Sequence, residues 1–172
     1  MNRKPVLCTL IVLLVFAAAT VLSAQSYEKL TDLLVDLPGY SGKAPEGMDM
    51  TYQEMKAVTA TREYEKGESK LHAAIIVGQQ ASGVWNPSYQ KGLKMETSDG
   101  LMEVTEQKGF LMFHSYNKGK REGMIAVAIE QAKEAGEGVV FVFSYRGIDD
   151  KEGLSLAEKF DWKKIQSRVK SL

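Results

Sequence analysis

VVFVFSY at residues 139–145 and MIAVAIE at residues 124–130 decide the fold. Successive side chains of an extended chain point to opposite faces of a sheet. Val139, Phe141 and Phe143 therefore lie opposite Val140 and Val142, and both sides are apolar. Residues 124–130 repeat the pattern, with Ile125, Val127 and Ile129 against Met124, Ala126 and Ala128. Residues 71–77 do so a third time, with Ala73, Ile75 and Val77 against Ala74 and Ile76. A sheet with one solvated face alternates apolar with polar residues. Strands apolar on both sides predict a sheet covered on both faces.

Outward from these strands the chain reads as a series of hairpins. Thr51–Tyr64 and Lys70–Val77 flank the polar turn Glu65-Lys66-Gly67-Glu68. Leu101–Gln107 and Phe110–Tyr116 flank Lys108-Gly109, a tight-turn pair. The later links between strands are too short for helical crossovers, so those pairs are predicted antiparallel. Leu30, Leu33, Leu34 and Leu37 follow one helical face, which predicts a helix over 27–37 stopped by Pro38-Gly39. Residues 38–50 read as loop, and a short helix is expected near 88–95. Residues 150–172 read as helix in two pieces, with Asp161 at an N-cap. The expected fold class is α+β, a mainly antiparallel sheet of about six strands flanked by N- and C-terminal helices, in an α/β/α sandwich. The N- and C-terminal helices cover one face. The other needs residues 79–100 or a second copy of the chain, as a homodimer.

The first residues have a different character. Arg3 and Lys4 precede an apolar run from Val6 to Leu22, and Leu22-Ser23-Ala24-Gln25 supplies a small residue at a cut after Ala24. This is the pattern of an export signal. The run is short for an uncleaved span, which needs roughly 20 residues. Membrane contact is expected only through this segment if it stays attached. Cys8 lies too early to be a lipidated cysteine. The expected organisation is a signal peptide at 1–24 and one α+β domain at 25–172, exported to the periplasm or secreted. Cleavage removes two basic residues and no acid, leaving 20 basic and 22 acidic side chains and no cysteine. Disulfides, thiol catalysis and cysteine-bound zinc are thereby excluded from that domain. Over the whole 172-residue chain the formal net charge is zero, with no basic field of the kind that draws nucleic acid.

Several pieces together resemble a known group. They are Leu37-Pro38-Gly39-Tyr40, Ala60-Thr61-Arg62-Glu63-Tyr64, Lys66-Gly67 before the strand at 71–77, and Asp161-Trp162-Lys163-Lys164-Ile165. Their order resembles that of small exported bacterial α+β proteins of unassigned function, and is similar in architecture to PsbP/Mog1-like domains. The resemblance spans most of residues 25–172 in order of elements. It implies an antiparallel sheet in an α/β/α sandwich and an accessory or binding role, and it carries over no functional residue.

Motifs for chemistry are sparse. Met48-Asp49-Met50, with Met55 nearby, sets two thioethers on one side of an extended segment. Thioethers are soft donors that select Cu(I), and His72 or His114 is a candidate to complete such a copper site. The competing reading is methionine as gap-filler. The two histidines lack zinc spacing, and His114 shares a strand side with Phe110, Met112 and Tyr116, as a hydrogen-bonded core histidine does. No Gly-x-Ser-x-Gly elbow is present, although a triad assembled in space stays open. Trp85 and Tyr89 stand in a glycine-rich stretch, where aromatics line a ligand surface or plug the second face. The expected function is non-catalytic binding of a protein or small-molecule partner without a cofactor. A methionine-based copper carrier is the first alternative and a hydrolase the second.

Overall fold

A computed structural model describes residues 26–53, 55–85, 89–131 and 138–172. The proposed export signal lies outside the described residues. Four helices and nine strands are present among those described: α1 (Glu28–Thr31), β1 (Ser41–Gly42), β2 (Glu46–Tyr52), β3 (Met55–Lys66), β4 (Ser69–Gly78), α2 (Gln79–Val84), β5 (Lys94–Glu96), β6 (Gly100–Gln107), β7 (Phe110–Asn117), β8 (Glu122–Glu130), β9 (Gly138–Arg146), α3 (Asp150–Ala157) and α4 (Trp162–Val169). The strands form one sheet in the order β1-β3-β4-β9-β8-β7-β6-β5, and β2 pairs with β3 beside β1. Every pairing is antiparallel. The mainly antiparallel α+β class follows directly from this arrangement.

Two parts of the expected fold need correction. The sheet has nine strands rather than about six. Residues 46–50, read as the end of a loop, belong to β2, because the twelve-residue β3 presents backbone groups that need partners along its outer edge. β1 and β5 are two- and three-residue pieces too short to show periodicity. The helices also do not all flank the sheet as N- and C-terminal elements. α1, α3 and α4 contribute to one core on the first face, while α2, which lies between strands, packs on the second. The helix expected near 88–95 is absent from the described part of that stretch. Its place in the architecture is taken by α2, and residues 94–96 are strand.

The first face carries the larger core. Ile75, Ile125, Val127, Phe141 and Phe143 point into it and are almost wholly buried. Phe160 between α3 and α4 lies 4.8 Å from the Phe141 ring and 5.9 Å from Phe143. Asp149 caps α3 by accepting from the Glu152 amide at 2.8 Å, and Asp161 caps α4 by accepting from Lys164 at 2.9 Å. The leucines of the predicted 27–37 helix are buried as expected, but only residues 28–31 are α-helical. The Arg62 guanidinium donates to the Leu34 carbonyl at 2.7 Å, and the Tyr64 hydroxyl donates to Val35 at 2.8 Å. The carbonyls of the turn beyond the helix are therefore satisfied by β3, and Pro38 disfavours a helical Leu37.

Two turns set the register. The β6–β7 hairpin turns on Lys108 and Gly109, both at positive φ (53° and 85°), as a tight two-residue loop demands. At the end of β4, Gly78 adopts φ 95°, and a Cβ there would sit 2.2 Å from the Lys56 carbonyl oxygen. That position swings the chain from β4 into α2 and lays the helix on the second face.

Candidate functional site

The second face divides into a covered half and an open half. Antiparallel register fixes the rows that cross it. One row runs Val104, Phe113, Ala126, Val142 and Ala74 through β6, β7, β8, β9 and β4. These are buried in the second core, and Ala81 of α2 is buried with them. Trp85 and Tyr89 pack against the same core from above. Their rings meet edge to face at 5.7 Å, and Tyr89 stacks on Phe113 at 4.4 Å with a 6° tilt. The two aromatics singled out in the sequence are therefore brought together. They cover the sheet there, and both remain partly exposed.

A cavity of about 420 Å³ opens beside them. Trp85, Tyr89 and Leu111 give it apolar walls, and Gln90, Glu130 and Gln131 bring polar ends to it. Lys91 also lines it, with its ammonium 2.7 Å from Glu106. Apolar walls with a few converging polar groups are the composition of a small-molecule site. Ala81, Gly138 and Val140 keep the inner end free of bulk.

The methionine motif lies at the β2 edge. Met48 pairs with Thr59 and Met50 with Ala57, so both share one side of the strand. They are 51% and 43% exposed, and Tyr52 on the same side is 61% exposed. Met55 begins β3 opposite Tyr52. Neither histidine joins Met48 and Met50. His72 pairs with Glu63, four residues along β3 from Thr59, and His114 lies on the other face. Among the described residues there is no group of three or more His, Cys, Asp or Glu side chains placed to hold a metal ion.

His114 is a core residue, only 1% exposed. Its Nε2 lies 3.0 Å from the Tyr145 hydroxyl, and its Nδ1 is 3.8 Å from a Glu103 carboxylate oxygen. Burial lowers its pKa below the ordinary 6.5, and the charges of Glu103 and Asp150 oppose that shift. Burial likewise raises the Tyr145 pKa, with Asp150 adding to it. The pair is a neutral hydrogen-bonded element of the first core.

The row missed by sequence reasoning is Glu63, His72, Ser144 and Met124, one residue from each of β3, β4, β9 and β8, in register on the open half of the second face. It places an acid, a histidine and a serine side by side. The Glu63 carboxylate is turned to Lys43 at 2.5 Å. No sequence signal reveals this row, because β4 pairs with β9 across the 59 residues of intervening chain from 79 to 137, and only the strand order brings them together. No family model, curated protein sequence or solved structure matches this chain.

Proposed function

We propose that the chain is an exported, non-catalytic binding protein and that its ligand sits against Trp85 and Tyr89 on the second face. The observation that carries this reading is the 420 Å³ cavity at which both aromatics and three uncharged or acidic polar side chains converge. Partly exposed aromatics bury a large area at low entropy cost, and the amides of Gln90 and Gln131 supply directional hydrogen bonds. Export through residues 1–24 fits the cysteine-free remainder of the chain and the accessory role implied by the order of elements.

Native mass spectrometry of the protein recovered from its own cell envelope tests both parts. The expected species has the mass of residues 25–172 plus a retained small molecule. Trp85→Ala should lose that molecule. A retained mass unaffected by Trp85→Ala would move the site elsewhere, and a species keeping residues 1–24 would overturn cleavage.

A second reading rests on the shared exposure of Met48 and Met50 on the β2 edge. Two soft donors at that spacing suit Cu(I) carriage. A copper-sized adduct that disappears in a Met48→Leu, Met50→Leu double variant would favour it over the aromatic cavity.

A further inference from the structure

The far end of the second face is built around two cations that stand directly opposite each other. In register across β8, β9, β4 and β3 run Glu122, Arg146, Lys70 and Glu65. The next row inward is Met124, Ser144, His72 and Glu63. Residues of both rows line a cleft of about 490 Å³ that shares no lining residue with the Trp85–Tyr89 cavity.

Cross-strand neighbours on one face have Cβ atoms roughly 5 Å apart, and like charges placed so are destabilising. A ladder built for stability alone alternates its signs. Here the order is acid, cation, cation, acid. The acids do not relieve the central pair equally. The Arg146 guanidinium is paired with Glu122 on its outer side. Lys43 takes Glu63 at 2.5 Å and reaches Glu65 at 4.0 Å. The acid across from Lys70 is thus shared with Lys43, and Lys70 makes no ion pair among the described residues. The pKa of Glu63 is lowered chiefly by Lys43, with His72 and Lys70 adding to it, and all four residues line the cleft.

We propose that this cleft binds a phosphate-type oxyanion between Lys70 and Arg146, with His72 and Ser144 supplying further hydrogen bonds. An anion there turns a repulsive pair into a bridged one. Arginine offers a planar fork and lysine a point charge, a combination suited to tetrahedral oxyanions. Ser144 stands opposite His72 in the β4–β9 register, one row from the two cations, and both line the cleft. The same chemistry is offered by free phosphate and by a phosphate headgroup in a lipid surface.

Calorimetric titration of the full chain with inorganic phosphate tests the proposal, using sodium chloride at matched ionic strength as the comparison. A parallel arm measures co-sedimentation with phosphatidylcholine vesicles with and without phosphatidic acid. Saturable binding of phosphate, weakened at least tenfold in both Lys70→Gln and Arg146→Gln and unchanged in Lys159→Gln, supports a soluble oxyanion. Binding seen only on phosphatidic-acid vesicles, with the same dependence on Lys70 and Arg146, supports a headgroup. Removing one of the opposed cations should also raise the melting temperature at low salt, so Lys70→Gln is expected to be folded and slightly stabilised. A response to phosphate equal to that of chloride together with no added sedimentation on phosphatidic-acid vesicles, or binding indifferent to Lys70→Gln, overturns the proposal.

Discussion

The two faces of the sheet are made by the same strands and have opposite fates. On the first face, residues such as Phe141, Phe143 and Ile125 meet α1, α3, α4 and Phe160, and are essentially sealed. On the second, α2, Trp85 and Tyr89 seal only the centre, and the cavity and the charged cleft lie to either side of it. Among the described residues, the difference lies in how much chain covers each face. The first receives the N-terminal residues 27–40 and the whole of 148–169. The second receives one six-residue helix and the stretch that follows it. The first face holds the larger buried core, and the second holds a smaller core with the cavity and the cleft beside it.

The largest expected effect separates these roles. Phe160→Ala removes a fully buried ring packed against Tyr64, Phe141 and Phe143. Such a truncation costs about 3–5 kcal/mol. Trp85→Ala removes a larger ring from a half-open face, and about 1 kcal/mol is expected, the ordinary scale for a substitution outside a closed core. Urea unfolding of the two variants gives the comparison directly. Equal losses would mean that Trp85 serves as a structural plug and would weaken the binding role assigned to its cavity.

Next in size is the polar element of the sealed face. Tyr145→Phe leaves the His114 Nε2 buried without its partner at 3.0 Å. An unsatisfied buried group costs about 1–3 kcal/mol. Tyr145 also fills the space beside Gly123 and Gly153, where a Cβ on either glycine would fall within 2.4 Å of the tyrosine ring. Phenylalanine keeps that ring, so the loss reports the hydrogen bond. No measurable loss would show that His114 finds another partner.

The same histidine makes the sealed face sensitive to pH. Its folded-state pKa is held below 6.5 by burial, against the opposing charges of Glu103 and Asp150. Above pH 6.5 the imidazole is neutral in both folded and unfolded chains and contributes no pH dependence. As the pH falls below 6.5, the unfolded chain takes up a proton that the folded chain resists. Stability is therefore lost on acidification through the window from 6.5 down to the lowered folded value. Urea midpoints measured between pH 8 and pH 5 should fall more steeply for the wild type than for His114→Gln. Parallel curves would show that the buried imidazole protonates as readily folded as unfolded.

The contrast between faces also explains what the sequence disclosed. Apolar residues on both sides of 71–77, 124–130 and 139–145 correctly called for cover on both faces, since burial is written in local alternation. The Asp161 cap was legible because its signal lies within three residues. Trp85 and Tyr89 were legible as a pair because an aromatic in a polar, glycine-rich stretch stands out. β2 was hidden because Gly47, Asp49 and the exposed Met48 and Met50 give an edge strand no apolar alternation. The leucine spacing over 27–37 overstates the helix because it reports burial and not backbone hydrogen bonds, which Arg62 and Tyr64 supply at Leu34 and Val35. The rows on the second face were out of reach for a different reason. They depend on β9 inserting between β4 and β8, a long-range choice that no local pattern encodes.

The smallest expected effect tests the open edge. Met48 and Met50 project from β2 with about half their surface in solvent. Changing both to leucine removes sulfur while keeping volume and apolar character, a swap that costs little even in cores. Stability should shift by less than about 0.5 kcal/mol, as for exposed positions generally. Cu(I) titration of the same variant supplies the second axis. If the pair is no more than edge-strand surface, wild type and variant bind Cu(I) equally poorly. If the pair carries copper, the variant loses that affinity with its stability intact. A large loss of stability would instead show that the β2 edge is covered in the working protein, making this part of the second face as sealed as the first.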